Sequence, residues 1–365
     1  MLHTDHRIMF TDSRFLDFVP DESVDLVVTS PPYPMIEMWD EGFKNQCERV
    51  SESWEKGDES SLFKLLHEEL NRVWAEVHRV LKPGGFACIN IGDATRKFRD
   101  TFRLYPNHAK VLMSCLDIGF HALPVILWRK PTNAPTKFMG SGMLPAGAYV
   151  TLEHEYILIL RKGGLRRFRD EKVRLNRAQS AIFWEERNRW YSDVWDIGGV
   201  RQVLGDEPAR RRSGAFPFEI AYRLINMYSV RGDRVMDPFL GTGTTTLAAI
   251  ASCRNSIGIE LDRSLEEMVL SAISAAVPKL NGYISGRLHD HLRFVNECSH
   301  GSRRLKYRNV HYGFPIMTAQ ERELVLNYVD GAKILSRGSL RVTYHARASL
   351  TPPKSQMDLP FSSLK

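Results

Sequence analysis

A short apolar stretch, a glycine-rich turn and an apolar helix follow one another directly, and no other feature constrains the fold of this chain as strongly. Residues 234–237 have the pattern of a buried strand, residues 241–243 read Gly-Thr-Gly, and residues 244–252 have the pattern of a helix. Glycine adopts positive φ without a Cβ penalty, and a helix N-terminus offers N–H donors to an anion. The sequence therefore predicts a strand–turn–helix unit that binds a ligand.

The residues around this turn narrow the choice of ligand. Glu260 ends the next apolar stretch, about 20 residues on, where an acidic side chain can accept both ribose hydroxyls. The turn lacks the third glycine of the dinucleotide motif and the Gly-Lys-Ser/Thr of a phosphate-binding loop. A nucleoside without a diphosphate, such as S-adenosylmethionine with its free amino-acid end, fits better than NAD or ATP. A purely structural turn is the alternative.

Apolar stretches with strand or helix periodicity recur along most of the chain. We expect strands at 24–29, 86–91, 124–128, 156–160, 234–237 and 256–260, and helices at 62–81, 217–228 and 244–252. This alternation predicts an α/β fold with a doubly wound, mostly parallel sheet. It divides the chain into residues 1–160, an insertion at 161–212, residues 213–300, and a C-terminal extension at 301–365 that shows little periodicity.

The net charge of +7 is concentrated in two segments. Residues 161–212 contain 14 Lys and Arg against 8 Asp and Glu, and residues 301–365 contain 11 against 4. Because the rest of the chain is net acidic, the pattern favours contact with a polyanion, with nucleic acid the leading candidate. The candidate phosphate contacts are Arg166, Arg167, Arg210, Arg211 and Arg212. A surface charged only for solubility is the alternative. The basic C-terminal extension either supplements DNA binding, forms a subunit contact, or packs on the core.

Several classes of protein are excluded by what the sequence lacks. The five cysteines are scattered and form no Cys-x-x-Cys pair, which argues against a zinc site or a disulfide framework. No apolar run approaches the roughly 20 residues that span a bilayer, and the N-terminal residues lack the regions of a signal peptide. We expect a cytoplasmic protein without a metal.

The sequence Ser-Pro-Pro-Tyr at residues 30–33 follows the strand expected at 24–29. Two consecutive prolines continue neither a strand nor a helix, so the chain must turn here. A polyproline-like bend with Tyr33 as a surface anchor is one interpretation of this turn.

The second interpretation rests on a family resemblance. Residues 29–33, followed roughly 200 residues later by Asp-Pro-Phe-Leu-Gly-Thr-Gly-Thr-Thr at 237–245, resemble the amino-methyltransferases of DNA restriction–modification systems. The order of the two motifs is similar to that of the family's β class, in which a target-recognition region separates the two halves. The resemblance extends over residues 8–272 and includes short motifs at 12–13, 128–131, 153–156 and 216–219.

The resemblance implies the class I S-adenosylmethionine-dependent methyltransferase fold and a role for each part of the chain. Residues 1–160 would be the catalytic half, residues 161–212 the target-recognition region, and residues 213–300 the cofactor-binding half. The catalytic residues would be Ser30, Pro31, Pro32 and Tyr33.

In such a site the Ser30 side chain and the Pro31 carbonyl accept the two N–H bonds of a target amine. The prolines hold that carbonyl rigidly, and Tyr33 stacks on a base flipped out of the helix. Ser30 acts as a hydrogen-bond acceptor rather than a nucleophile, because no base partner stands beside it in the sequence. Transfer is then a direct displacement governed by positioning and electrostatics.

The resemblance also implies a set of cofactor residues: Asp12, Phe216, Pro217, Asp237, Phe239, Gly241, Gly243, Thr244 and Glu260. Asp12 would face the adenine, Glu260 the ribose, and the glycine turn the methionine end. Phe239 would lie beside the sulfonium, and Phe216-Pro217 would close over the methionine portion. Family members often carry His-Pro just before this closing turn, whereas this chain has Arg-Ser-Gly-Ala at 212–215, so this wall of the site differs.

The target base is indicated by Ser30. Members with Ser at this position mostly modify cytosine N4, and members with Asp mostly modify adenine N6. No cysteine follows a proline, which argues against cytosine C5 methylation. The expected substrate is therefore cytosine in double-stranded DNA, with a cognate restriction endonuclease as the partner that such systems imply.

Three other functions remain as alternatives. Adenine N6 methylation of DNA is the nearest, and methylation of an RNA base is another, although the basic insertion favours duplex DNA. A DNA-binding module without enzymatic activity would not need Ser30 and Glu260 together with the glycine turn.

Overall fold

The computed structural model describes residues 2–98, 101–130, 140–199, 216–300 and 305–349. The strands in these ranges are β1 (His3–Phe10), β2 (Val24–Thr29), β3 (Leu81–Ile91), β4 (Ala94–Phe98), β5 (Thr101–Tyr105), β6 (Phe120–Arg129), β7 (His154–Lys162), β8 (Val194–Asp196), β9 (Arg234–Asp237), β10 (Asn255–Glu260), β11 (Tyr307–Arg308), β12 (Pro315–Ile316), β13 (Val329–Ser336) and β14 (Ser339–Tyr344). The helices are α1 (Asp40–Gln46), α2 (Glu48–Lys56), α3 (Glu59–Val80), α4 (Asn107–Ile118), α5 (Glu171–Gln179), α6 (Trp184–Trp190), α7 (Phe218–Tyr228), α8 (Thr244–Ala251), α9 (Glu266–Ala275) and α10 (Val277–His300).

A mixed sheet runs through the molecule in the order β13-β14-β1-β10-β9-β2-β3-β7-β6-β8. Strands β1, β10, β9, β2 and β3 are parallel to one another, and β7 runs antiparallel to both β3 and β6. The fold is the predicted α/β class, with a parallel centre and antiparallel strands toward both edges.

Strand β2 shows why the sheet is covered on both faces. All six of its residues are buried, as expected for a parallel strand in the middle of a sheet. Leu26 and Val28 join the hydrophobic core beneath α7, α8 and α10, whereas Val24 and Val27 join the core beneath α1 to α4. Because successive side chains of a strand point to opposite faces, Val27 and its neighbours Leu26 and Val28 supply the two cores.

The C-terminal extension continues the sheet instead of forming a separate unit. Strand β14 pairs with β1 and β13, and its Leu340, Val342 and Tyr344 are buried at alternate positions. The Tyr344 hydroxyl donates to the Ile250 carbonyl of α8. The expectation of little periodicity is wrong for these strands. Of the three roles considered for the C-terminal extension, packing on the core is the one seen for residues 305–349.

The insertion also contributes to the core. Its Phe183, Trp190 and Trp195 are buried, and β8 adds the last strand at one edge of the sheet. These aromatic side chains therefore stabilise the fold and are not available to stack on nucleic acid.

A buried ion pair connects the insertion to α10. Arg287 donates through Nε and Nη2 to the two carboxylate oxygens of Glu186, each at 2.6 Å, and through Nη1 to the Tyr222 hydroxyl at 2.7 Å. Both charged side chains are almost completely buried. Removing one partner of such a pair leaves an uncompensated buried charge.

Arg287→Met should therefore lower the free energy of unfolding by about 3 kcal/mol, measured by urea denaturation. Arg293→Met removes the exposed partner of Asp290 on the same helix, and should cost less than about 0.5 kcal/mol. The double variant Glu186→Gln, Arg287→Met should recover much of the loss. Equal costs for the two single variants would contradict this account of the buried pair.

Candidate active site

The predicted site residues meet because four neighbouring parallel strands end at the same edge of the sheet. Asp12 follows β1, Ser30 follows β2, Asp237 ends β9 and Glu260 ends β10. A cavity of about 760 Å³ lies at this edge. Of the predicted residues, its lining includes Asp12, Ser30, Pro32, Phe216, Asp237, Phe239, Gly241, Thr244 and Glu260. Its lining does not include Pro31, Tyr33, Pro217 or Gly243.

The glycine turn has the backbone that the sequence predicts. Gly241 and Gly243 have φ values of 53° and 87°, in the left-handed region that favours glycine. Gly243 precedes α8, and no side chain caps that helix, so its first N–H groups face the turn. A Cβ on Gly241 would project into open space within the site. The turn thus offers N–H donors to a carboxylate of a bound ligand.

Glu260 is held in place by backbone donors. Its Oε2 accepts the Gly241 N–H at 2.8 Å, and its Oε1 accepts the Asp262 N–H at 2.9 Å. Burial raises the pKa of this carboxyl and outweighs these two hydrogen bonds, which act in the opposite direction. Each oxygen keeps a lone pair, so the carboxylate can accept the hydroxyls of a ribose.

Asp12, which follows β1 next to the end of β10, is an oriented carboxylate in the lining of the cavity. Arg14 donates to it through Nε and Nη2, at 2.9 Å and 2.6 Å to Oδ2, and also pairs with Glu69. Burial by itself would raise the pKa of Asp12, but the hydrogen bonds from Arg14 lower it overall. The residue therefore stays ionised and fixed in position.

The acidic segment at 34–60 forms α1 and α2 and closes one side of the cavity. Met38, Trp39 and Phe43 lie in the lining, next to Phe239. The Phe239 ring makes an edge contact with Trp74, with ring centroids 6.0 Å apart. This wall gives the site an apolar face that the sequence reasoning missed, because the acidic composition of the segment masked it.

Asp237 connects the two halves of the site. Thr29 Oγ1 donates to its Oδ1 and Thr245 Oγ1 to its Oδ2, both at 2.6 Å. Thr29 immediately precedes Ser30, and Thr245 is the second residue of α8. The carboxylate thus fixes the Ser-Pro-Pro-Tyr turn relative to the glycine turn. The sequence placed Asp237 among the cofactor contacts, and the residue lines the cavity as well as binding these two threonines.

The Tyr33 hydroxyl belongs to a buried polar cluster. It donates to Glu155 Oε2 at 2.7 Å and lies 3.0 Å from Ser30 Oγ. Asn90 Nδ2 donates to both the Tyr33 hydroxyl and Glu155 Oε2 at 2.7 Å, and Lys130 Nζ pairs with Glu155 Oε1. The sequence gave no role to Asn90, Glu155 or Lys130. The motifs at 128–131 and 153–156 contained two of them, but their common partner became evident only in three dimensions.

Of the predicted phosphate contacts, the structure describes Arg166 and Arg167. Arg166 donates to both oxygens of Asp233, at 2.6 Å and 2.9 Å, and lies near Asp25. These two acids stand at the amino ends of β9 and β2, opposite the cavity. Arg166 therefore lies at the edge of the sheet opposite the catalytic turn. Arg167 is exposed near it, and Arg210, Arg211 and Arg212 lie outside the described residues.

The described residues were also compared with the requirements of a metal site and of a membrane-spanning helix. No group of three or more His, Cys, Asp or Glu in them is arranged to hold a metal ion. In the same residues, no helix has the length and apolar character needed to cross a membrane.

The fold, the glycine turn and Glu260 together define a class I S-adenosylmethionine-dependent methyltransferase. Residues 24–271 match the N6 and N4 methyltransferase family described as DNA methylases. The chain belongs to this family and is a site-specific type II DNA methyltransferase.

Individual relatives agree with this assignment. The type II methyltransferase M.MthZI of Methanothermobacter thermautotrophicus is 50% identical over 345 residues, which cover 94% of this chain and 96% of that protein. M.MjaI of Methanocaldococcus jannaschii is 52% identical over 277 residues, covering 73% and 90%. Among solved structures, TTHA0409 of Thermus thermophilus complexed with S-adenosyl-L-methionine is 32% identical, with a TM-score of 0.58, over 75% of this chain and 95% of that one.

The buried Asp237 predicts a specific pH dependence of stability. Burial raises its pKa from 3.8 to about 6, despite the hydrogen bonds from Thr245 and Thr29. A raised pKa in the folded state means that the stability from this group is full below pH 3.8 and is lost as the pH rises through about 6. Relative to Asp237→Asn, the wild type should gain about 1 kcal/mol of unfolding free energy between pH 7 and pH 5.

Urea denaturation at the two pH values measures this difference. Asp290→Asn, which changes an exposed carboxylate on α10, controls for the general effect of pH. A difference between wild type and Asp237→Asn that stays constant or changes in the opposite direction would contradict the assignment.

Proposed function

We propose that this methyltransferase modifies the N4 amine of cytosine in double-stranded DNA. The observation that carries the proposal is the position of Ser30 on the wall of the cavity that also contains Glu260 and the glycine turn. A neutral hydroxyl at this position can accept an N–H bond from an amine while the cofactor lies on the other side.

Several residues of this chain would bind and orient the cofactor. Glu260 binds ribose hydroxyls, the glycine turn and the start of α8 bind a carboxylate, and Asp12 faces the adenine. When bound, S-adenosylmethionine supplies an electrophilic methyl group on a sulfonium. The apolar wall with Phe239 excludes water from this region, and an aromatic ring near a cation is favourable.

The Ser-Pro-Pro-Tyr turn would hold the target base. Ser30 Oγ and the Pro31 carbonyl accept hydrogen bonds from the two N–H groups of the amine, which makes the nitrogen more tetrahedral and exposes its lone pair. Thr29 is anchored to Asp237, so this clamp is rigid before the substrate arrives. Pre-positioned acceptors reduce the barrier because little reorganisation is needed during the reaction. Tyr33 would stack on the flipped base.

DNA would approach the carboxyl ends of the parallel strands, where the cavity opens. Arg210, Arg211 and Arg212 shortly precede Phe216, which lines the cavity, so they are retained as phosphate contacts. Arg166 and Arg167 lie toward the amino ends of the strands, about 20 Å from the cavity along the length of β2. We therefore leave them out of the proposed DNA-binding surface. A restriction endonuclease that cleaves the same sequence is the proposed partner in the cell.

Identification of the methylated nucleoside tests the proposed base. After incubation with labelled S-adenosylmethionine and duplex DNA, enzymatic digestion should yield N4-methylcytosine. Ser30→Ala should lower the single-turnover rate by about 100-fold, because one of the two amine acceptors is lost, while S-adenosylmethionine binds with an unchanged Kd. Recovery of N6-methyladenine would replace cytosine with adenine as the target, and an unaffected rate would remove Ser30 from the mechanism.

The salt dependence of DNA binding tests the proposed phosphate contacts. Replacing Arg210, Arg211 and Arg212 together by Ala should reduce the slope of log K against log salt by about 3, since each phosphate contact contributes about 0.9. Arg167→Ala, the control on the opposite edge, should leave that slope unchanged. A reduced slope for Arg167→Ala with an unchanged slope for the triple variant would indicate that DNA binds at the amino ends of the strands instead. Fluorescence anisotropy with one duplex at several salt concentrations gives both slopes.

A further inference from the structure

The polar cluster around Tyr33 lies where β2, β3, β6 and β7 approach one another at the catalytic edge of the sheet. Asn90 is near the end of β3, Glu155 is near the start of β7, and Lys130 follows β6. Glu155 and Asn90 are buried. Their contacts form one continuous path from Lys130 through Glu155 and Tyr33 to Ser30.

The donors and acceptors in this path favour one arrangement. An ionised Glu155 can only accept hydrogen bonds, and the Asn90 amide nitrogen, which also lies 3.4 Å from Ser30 Oγ, can only donate them. The Tyr33 hydroxyl lies 2.7 Å from the Glu155 carboxylate and 3.0 Å from Ser30 Oγ, so it gives its proton to the nearer, charged acceptor and accepts from Asn90 with its oxygen. The remaining lone pair of that oxygen faces Ser30 Oγ, so the Ser30 proton points toward Tyr33.

Two further features maintain this direction. Lys130 pairs with the second oxygen of Glu155, which holds the carboxylate in one orientation. Burial and the adjacent Glu155 raise the pKa of Tyr33 well above its usual value, so that hydroxyl keeps its proton. With its proton directed at Tyr33, Ser30 presents its lone pairs to the cavity.

We propose that Glu155 is a positioning residue that acts through Tyr33 to make Ser30 an acceptor, and not a donor, toward the target amine. The proposal rests on the proposed function, in which Ser30 accepts an amine N–H bond. A Ser30 hydroxyl turned the other way would point its proton at the amine hydrogens and would oppose binding of the base in the reactive orientation.

The pair of variants Glu155→Gln and Glu155→Asp separates hydrogen-bond direction from shape. Gln has nearly the same shape as Glu, but Lys130 attracts its amide oxygen and turns the NH₂ group toward Tyr33. That group would donate to Tyr33, Tyr33 to Ser30, and Ser30 into the cavity. Asp is one methylene shorter but remains a pure acceptor.

Single-turnover methyl transfer with saturating S-adenosylmethionine and duplex DNA is the measurement. Glu155→Gln should lower the rate by about 10- to 100-fold, and Glu155→Asp should retain more activity than Glu155→Gln. The Kd for S-adenosylmethionine should stay close to the wild-type value, and urea denaturation of the same samples should show that both variants are folded under the assay conditions. If Glu155→Gln is as active as Glu155→Asp or more active, shape matters rather than direction, and the proposal is wrong.

A double-mutant cycle with Tyr33→Phe tests whether Glu155 acts through Tyr33. Without the Tyr33 hydroxyl the path is broken, so Glu155→Gln should cause little additional loss in the Tyr33→Phe background. An equal loss in both backgrounds would show that Glu155 acts independently of Tyr33 and would overturn the proposal. Failure of the proposed function itself would be seen separately, as full activity of Ser30→Ala or a product other than N4-methylcytosine.

Discussion

The carboxylate of Asp237 holds the active site together. It accepts one hydroxyl from Thr29 and one from Thr245, and these threonines belong to the catalytic turn and to the helix behind the glycine turn. The raised pKa of Asp237 indicates that its ionised form is unfavourable in this buried position. Burial of this acid costs free energy, but the acid connects the two turns rigidly through its hydrogen bonds to Thr29 and Thr245. Methyl transfer depends on that connection, because the target amine and the cofactor must be held at a fixed separation.

This connection is possible because β2 and β9 are neighbours in the sheet, although roughly 200 residues separate their turns in the chain. Parallel strands have their carboxyl ends at the same edge, so the residues after β1, β2, β9 and β10 necessarily meet there. Strands β3, β6 and β7 continue the same edge and bring Asn90, Lys130 and Glu155 to the other side of the catalytic turn. The order of the strands in the sheet, more than the order of the motifs in the sequence, determines which side chains contact one another at the active site.

The segments that carry the positive charge also contribute to the fold, which their composition does not indicate. The described part of the insertion buries Phe183, Trp190 and Trp195 and connects to α10 through Glu186 and Arg287. The C-terminal extension adds two strands beside β1. Some of the basic side chains in both segments are paired with acids elsewhere in the chain, as Arg166 is with Asp233 and Arg341 is with Asp5. Excess charge in a segment thus reflects in part the complementary acids elsewhere in the chain.

The sequence by itself determined the α/β class, the glycine turn, Ser30, and Glu260 as the acid at the end of the following strand. These features depend on local rules: strand and helix periodicity, the φ angles open to glycine, and the restrictions of proline. Tertiary structure decided which edge of the sheet each arginine occupies, that the acidic segment at 34–60 supplies an apolar wall, and that Glu155 reaches Tyr33. Such contacts join residues that are far apart in the chain, and their partners are selected by strand order and packing, which no local pattern encodes.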